Sequence, residues 1–387
     1  MSEGYAGGRG PLLRLWGVPV HVPASGVVGV ALIAVLWAPN FVLSGAPASQ
    51  QYALAVIFAV LLYLSILLHE AAHAFAARAF GYPVTKIVLW VLGGFTQYER
   101  ARPAPGKEAA IAAAGPLTTL AVAGLAYLAL AATGDSLDVR AVVVLEALAW
   151  GNAFMGLYNL LPGLPLDGGA VLRSAVWALT GSENRGAVVA GWAGRGLAVL
   201  MIVTPFALAF ARDVRPSLGL VVVAAIFAAF LWTGASDALR RARVNRHIPG
   251  LSARRLARRA VNVDADLPLA EAIRRMTAAG ARSIVVVDRD GRPIGVGEDA
   301  AIAAVPPARQ PWLAVSAVAR TLHPTAVLPA SLTGYDLVEA VTAHPATEYL
   351  VVDDEAEQAA VAGSRQVVGV LTTADVENEL RTGPHDE

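Results

Sequence analysis

Six long apolar runs occupy roughly the first three fifths of the chain, at about 22–44, 52–77, 109–132, 141–161, 186–211 and 217–235. Each is near the ~20 residues that an α-helix needs to cross a bilayer, so the pattern predicts six transmembrane helices. Arg9 and Arg14 precede the first run, but no short apolar core with a small-residue cleavage site follows them. That run therefore reads as a span and not as a cleavable leader. Between the second and third runs, Lys86-Ile-Val-Leu-Trp-Val-Leu-Gly-Gly-Phe95 is apolar and β-branched but too short to cross. It reads as a strand or hairpin dipping into the membrane, where non-helical backbone survives only buried in protein or lining a wet cavity. The alternative is a plain interfacial connector. From about residue 245 charge returns and the pattern becomes βαββα, written twice with a period of about 65–75 residues. The architecture expected is a polytopic α-helical membrane protein with a short membrane-associated β segment and an α/β tail. Its parts are an N-terminal segment 1–21, a six-span domain 22–244 and a tail 245–387.

The distribution of charge orients the spans. The 78–108 connection holds Arg78, Lys86, Arg100, Arg102 and Lys107, and Arg240, Arg241, Arg243 and Arg246 follow the sixth run. The 45–51 loop is uncharged, and the 133–140 loop carries Asp135, Asp138 and Arg140. The positive-inside rule then places both termini in the cytoplasm, with Arg212 and Arg215 a mild dissent on the outer side. The whole chain is 56% apolar and 16% charged, against about 25% charged in soluble domains. Lys plus Arg and Asp plus Glu each number 30, so no basic excess points to nucleic acid. There is no cysteine, so any metal here must use His, Asp or Glu.

The candidate chemistry lies near the inner end of the second run. His69-Glu70-Ala-Ala-His73 is an H-E-x-x-H on a helix. Its i, i+4 spacing puts both imidazoles on one face within reach of one Zn²⁺, with Glu70 beside it as general base. Ionisable groups inside a span cost free energy and are usually functional. A catalytic zinc site takes a third protein ligand and leaves a position open. His69 stands about 17 residues, or ~26 Å, from the outer end of its span. The fourth run travels inward and breaks at Pro162 and Pro165, bringing Asp167 of Asp167-Gly-Gly169 to a similar depth as the third ligand. Glu146 and Arg195 also fall inside spans, either as a pair lining a water path or as a structural pair between helices.

His69-Glu70-x-x-His73, Gly93-Gly94, Ala113-Ala-Gly-Pro116 and Asn159-x-x-Pro162-x-x-Pro165-Leu-Asp167-Gly168 together resemble the site-2 protease family, a group of intramembrane zinc metalloproteases. The closer resemblance is to its six-span branch with a C-terminal pair of CBS domains. It implies His69, His73 and Asp167 as zinc ligands, Glu70 as catalytic acid/base, and Asn159 near the scissile backbone. It also implies a substrate strand pairing beside Gly93-Gly94. The substrates implied are transmembrane regulatory proteins of the anti-sigma-factor or transcription-factor-precursor type, cut in a bacterial or archaeal plasma membrane. Because a peptide in a transmembrane helix is shielded, adding it as a strand to a sheet edge would expose it.

The tail resembles a tandem CBS pair. In that family a Gly-h-h-Thr/Ser-x-x-Asp segment holds an adenine nucleotide, and the second repeat keeps Gly369, Thr372 and Asp375. In the first repeat Gly295 is followed by Glu298 and Ala301, so at most one site for ATP, ADP or AMP is expected. The alternative for Thr372 and Asp375 is helix N-capping. A homodimer through the CBS domains is also expected. Two rival functions remain at this level: a CBS-regulated transporter or channel, and a catalytically silent homologue that only binds membrane clients.

Overall fold

A computed structural model describes residues 10–45, 47–91, 93–100, 103–133, 136–353 and 367–382. The chain divides into two compact units, Met1–Ala242 and Arg243–Glu387. In the first unit, strands β1 (Leu13–Leu15) and β2 (Val18–His21) precede helix α1 (Ala24–Trp37). Helix α2 (Ala48–Ala79) leads to the hairpin β3 (Val84–Trp90) and β4 (Gly93–Tyr98). Then come α3 (Pro105–Thr133), α4 (Val139–Asn159), α5 (Asp167–Thr180), α6 (Glu183–Ala211) and α7 (Leu218–His247). Among the described residues six helical segments are long and apolar enough to cross a membrane: Ala24–Val42, Ala48–Ala79, Pro105–Thr133, Val139–Asn159, Glu183–Ala211 and Leu218–Gly250. Large apolar side chains such as Leu128, Val203 and Phe210 face outward, as hydrocarbon surroundings require.

Two features go beyond the sequence reading. Residues 13–21 are not merely a segment ahead of the first span. They form an antiparallel pair whose β2 joins β3 in parallel, Val20 opposite Ile87, giving a sheet ordered β1-β2-β3-β4. The alternation of Val18 and Val20 explains this, because both point inward against Tyr63, Ile66 and Ala74 of α2 and Ile87 and Leu89 of β3. The second feature is α5, a 14-residue helix between the fourth and fifth spans. It is too short to register as a span, and its Gly168-Gly169 start reads as a turn.

The caps follow local chemistry. Asp138 accepts from the Arg140 N–H at the start of α4, and Ser182 accepts from the Arg185 N–H at the start of α6. Helix α5 stops at Gly181, whose φ of +69° is the left-handed conformation that suits glycine.

The second unit repeats one motif. Its first half, after the short helix α8 (Ala253–Leu256), is β5 (Ala260–Asp264), α9 (Leu269–Ala278), β6 (Ser283–Val287), β7 (Pro293–Gly297) and α10 (Asp299–Ala304), with β8 (Ala319–Thr321) completing the sheet. Its second half is β9 (Val327–Pro329), α11 (Gly334–Ala343), β10 (Glu348–Val352), β11 (Val367–Thr372) and α12 (Thr373–Thr382). In each half the helix crosses between parallel strands, and an antiparallel strand follows. Val285, Val287 and Val296 of one half pack on Leu350, Val352 and Val370 of the other.

Candidate metal centre

Helix α2 delivers His69, Glu70 and His73 to the protein interior, with 6%, 6% and 7% of their surfaces exposed. Asp167, the first residue of α5, meets them. His69 Nε2 lies 3.0 Å from Asp167 Oδ2 and 3.1 Å from His73 Nε2, and His73 Nε2 lies 3.4 Å from Asp167 Oδ2. Four-coordinate zinc with bonds of ~2.0–2.1 Å separates neighbouring ligands by about 3.3 Å. The separations of the three donors therefore already match the edges of such a polyhedron.

The outer ring nitrogens explain why the inner ones are available. His73 Nδ1 is 2.7 Å from the carbonyl of Ile111, which can only accept, so Nδ1 carries the proton. His69 Nδ1 is 2.8 Å from Thr119 Oγ1, whose hydroxyl donates to the Gly115 carbonyl at 3.1 Å and so accepts from the ring. Both Nε2 lone pairs then face the same point as a carboxylate oxygen. A cation at that point satisfies all three donors at once, and neutral His with a fixed outer N–H is the form that ligates one. Gly115 keeps the space open, since a Cβ there would lie 2.3 Å from His73 Nε2 and 2.6 Å from His69 Nε2.

Strand β4 covers the remaining member of the motif. Thr96 Oγ1 lies 2.8 Å from Glu70 Oε2 and 2.9 Å from the Glu70 carbonyl, so its hydroxyl holds the side chain against the strand. Gly94 shares that face two residues earlier, and a Cβ on it would fall 2.6 Å from Glu70 Cγ. Gly93 opens the strand opposite Trp90 at φ +146°. Among the described residues β4 pairs only with β3, which leaves its other edge free to accept a strand.

Asp167 is placed by the 160–166 loop. The Leu164 N–H donates to the Ala190 carbonyl at 3.0 Å, and Leu166 is buried. The loop presses into glycine positions of α6 and α7, where a Cβ at Gly194 would meet the Leu164 carbonyl and one at Gly234 would meet the Pro165 ring. Asn159 ends α4 and donates through Nδ2 to the Met155 carbonyl at 3.1 Å. Among the described residues no hydrogen bond joins its side chain to the His–His–Asp group, and its amide has a second N–H.

Glu146 and Arg195 are not paired. Glu146 is exposed, while the Arg195 guanidinium lies 5.0 Å and 4.9 Å from the ring centroids of Trp192 and Trp232 and donates to Ser236 Oγ. In the tail, Thr372 and Asp375 satisfy each other. Thr372 Oγ1 and N lie 2.7 and 3.2 Å from Asp375 Oδ2, and the Asp375 N–H reaches Thr372 Oγ1 at 3.1 Å. This is a reciprocal cap on α12. Arg258 adds a contact of 2.7 Å to Asp375 Oδ1. Burial would raise the Asp375 carboxyl, but the hydrogen bonds from Arg258 and Thr372 outweigh it and hold the group below its ordinary range. Gly369 is small because the Arg258 backbone crosses it, its Cβ position being 2.3 Å from the Arg258 carbonyl.

Sequence reasoning passed over Thr96 and Thr119. Their signals were a lone threonine two residues after Gly94 on one strand face, and one four residues after Gly115 on one helix face.

The profile of peptidase family M50 matches residues 57–138 and 128–203, and that of the CBS domain matches residues 253–300. Rip3 of Mycobacterium tuberculosis, named as a zinc metalloprotease, is 32% identical over 376 residues, covering 95% of this chain and 91% of Rip3. A Synechocystis protein, also named as a zinc metalloprotease, is 34% identical over 194 residues, 49% of this chain and about half (49%) of its own length. The solved site-2 protease of Methanocaldococcus jannaschii aligns with 59% of this chain and 94% of its own, at 21% identity and a TM-score of 0.40. With a third of its residues shared with Rip3 along nearly its whole length, the chain belongs to peptidase family M50, the site-2 protease type of zinc metalloprotease, and carries a C-terminal CBS domain.

Proposed function

We propose that the chain hydrolyses a peptide bond in or near a transmembrane segment of a membrane-bound regulatory protein. The observation that carries this reading is the convergence of His69 Nε2, His73 Nε2 and Asp167 Oδ2 within 3.4 Å of one another, with both outer ring nitrogens already engaged. These three would hold Zn²⁺, which would supply Lewis-acid polarisation of a carbonyl and acidify water at neutral pH. Glu70, held by Thr96, takes a proton from the attacking water and returns it to the leaving amine. The free edge of β4 binds the substrate backbone as an added strand, straightening a segment that would otherwise be helical. Gly94 keeps that edge low over Glu70, and Gly93 supplies the φ of +146° at which the strand begins. The second N–H of Asn159 is the group available to a developing oxyanion.

The same reading assigns catalysis to 22–244 and regulation to 245–387, with 1–21 ahead of the first span. Both termini are cytoplasmic, as the Arg-rich inner connections support, and the bilayer is a bacterial or archaeal plasma membrane. The substrate is of the anti-sigma-factor or transcription-factor-precursor type. The tail dimerises and takes ATP, ADP or AMP at Gly369, Thr372 and Asp375, which requires Asp375 to exchange Arg258 for ribose hydroxyls. The engaged state of Arg195 and the exposure of Glu146 give a transporter pathway no support.

The test uses the full chain in detergent with a tagged single-pass membrane reporter. Cleavage should stop with 1,10-phenanthroline and return with added Zn²⁺. Cleavage indifferent to the chelator would remove zinc from the mechanism.

A further inference from the structure

Four charged residues outside the metal group form a closed ring. Glu108, 2% exposed at the head of α3, receives Arg100 Nε at 2.9 Å and Arg173 Nη2 at 3.3 Å. Glu183, at the head of α6, receives Arg100 Nη1 at 2.8 Å and lies 3.9 Å from Arg173 Nη1. The ring is neutral, two guanidinium forks against two carboxylates. Exposed pairs of this protein, such as Arg240 with Asp237 at 79% and 55% exposure, contribute little. This ring closes on a buried carboxylate, Glu108 at 1% side-chain exposure, with Arg173, Arg100 and Glu183 partly covered at 22%, 32% and 33%. A buried carboxylate left without its partners is costly, so Glu108 holds both guanidinium groups to itself and thereby fixes one arrangement of the segments that carry them.

What it fixes follows from where its members sit. Arg100 comes two residues after β4, the strand that carries Gly94 and Thr96 against Glu70. Glu108 comes three residues before Ile111, whose carbonyl holds the His73 ring. Arg173 is on α5, whose first residue is Asp167. Three segments that each bring one part of the site are thus tied at one point.

We infer that Arg100, Glu108, Arg173 and Glu183 are positioning residues that fix the β4 edge and the Asp167-bearing helix relative to α3. The inference rests on the metal and edge-strand reading above. Its two ends serve different steps: Arg173 sets where Asp167 stands, and Arg100 sets where the substrate strand lies.

The experiment measures Zn²⁺ affinity by chelator competition, the visible spectrum of the Co²⁺-loaded protein, and reporter cleavage, all on the full chain. Arg173→Gln should weaken Zn²⁺ binding about tenfold, the lower end of what losing a direct partner of a ligand costs, since Arg173 acts on Asp167 only through α5, and should alter the Co²⁺ bands. Arg173→Lys should recover part of the loss. Arg100→Gln should keep the parent's affinity and Co²⁺ bands while KM for the reporter rises at least about fivefold and kcat stays within about twofold, the mark of lost ground-state binding. Parent-like Zn²⁺ affinity in a folded Arg173→Gln, even with a lowered melting temperature, would make the ring a mere brace and overturn the proposal. If Arg173→Gln does not fold, Arg173→Lys decides, since it keeps the charge and loses the fork; parent affinity there also overturns it. A parent that binds no Zn²⁺ defeats the metal reading, and the inference falls with it. A zinc-binding parent with insensitive variants defeats the inference alone.

Discussion

The metal group in the membrane unit and the Gly369–Thr372–Asp375 segment in the tail were equally legible as motifs, yet the structure treats them in opposite ways. Around His69 and His73 each outer nitrogen is spent on a neighbour, Thr119 or Ile111, so that the inner nitrogens remain aimed at one point with Asp167. In the tail the polar atoms are spent on one another: Thr372 and Asp375 close a helix cap, and Arg258 takes the remaining oxygen. A constellation whose donors are held from behind and left free in front is built for a ligand. One whose donors pair among themselves already has a structural job and must give something up to bind.

That contrast can be broken, beginning where the effect is largest. Glu70→Gln removes the proton acceptor and leaves all three donors, so cleavage of the reporter should fall ~10²–10⁴-fold while zinc content stays at the parent level. Wild-type turnover would take Glu70 out of the chemistry. Next, Thr119→Val deletes the partner behind His69 and should weaken Zn²⁺ ~10–100-fold in chelator competition; unchanged affinity would mean that the ring needs no support. Gly94→Ala should follow, because its methyl would sit 2.6 Å from Glu70 Cγ and displace either the side chain or the strand. A loss of cleavage of up to about 10²-fold is expected, on the scale of a misplacement of about 1 Å at the reacting groups, with zinc still bound, and full activity would detach β4 from Glu70.

The smallest effect belongs to the tail. A carboxyl held below its ordinary range stabilises the fold fully above its unfolded pKa of ~3.9 and loses that contribution as pH falls through the lower folded value. Asp375 is partly exposed, so screening makes the gain modest. Asp375→Asn should therefore lower the tail's melting temperature slightly at neutral pH, and the gap to the parent should close below about pH 4. A gap that persists in acid would assign the effect to something other than the Arg258 pair.

Much of the membrane unit was readable because hydrocarbon enforces a simple code. Helices must be long and apolar, and a His or Glu inside one stands out. Asp167 was found by counting depth along two runs, which works when helices cross a slab of known thickness. The β1–β2 pair and α5 were missed for the complementary reason. Both are short, and their burial depends on partners distant in sequence, Ile87 for β2 and Gly194 and Gly234 for the loop ahead of α5. Glu146 and Arg195 were brought together by depth alone. Depth does not fix the direction around a helix, and Arg195 turned to two tryptophans. In the tail, Gly369 and Asp375 match a nucleotide motif, but spacing cannot reveal that the Arg258 backbone and side chain occupy their surroundings.

The measurement closest to the central claim is the metal content of the purified full chain, taken beside its His69→Ala, Asp167→Ala and Glu70→Gln variants. About one zinc per chain is expected in the parent and in Glu70→Gln, because Glu70 is not among the three donors of a catalytic site. Little or none is expected in His69→Ala, and clearly lowered occupancy in Asp167→Ala. A parent without zinc, or a His69→Ala protein that keeps its full complement, would contradict the account.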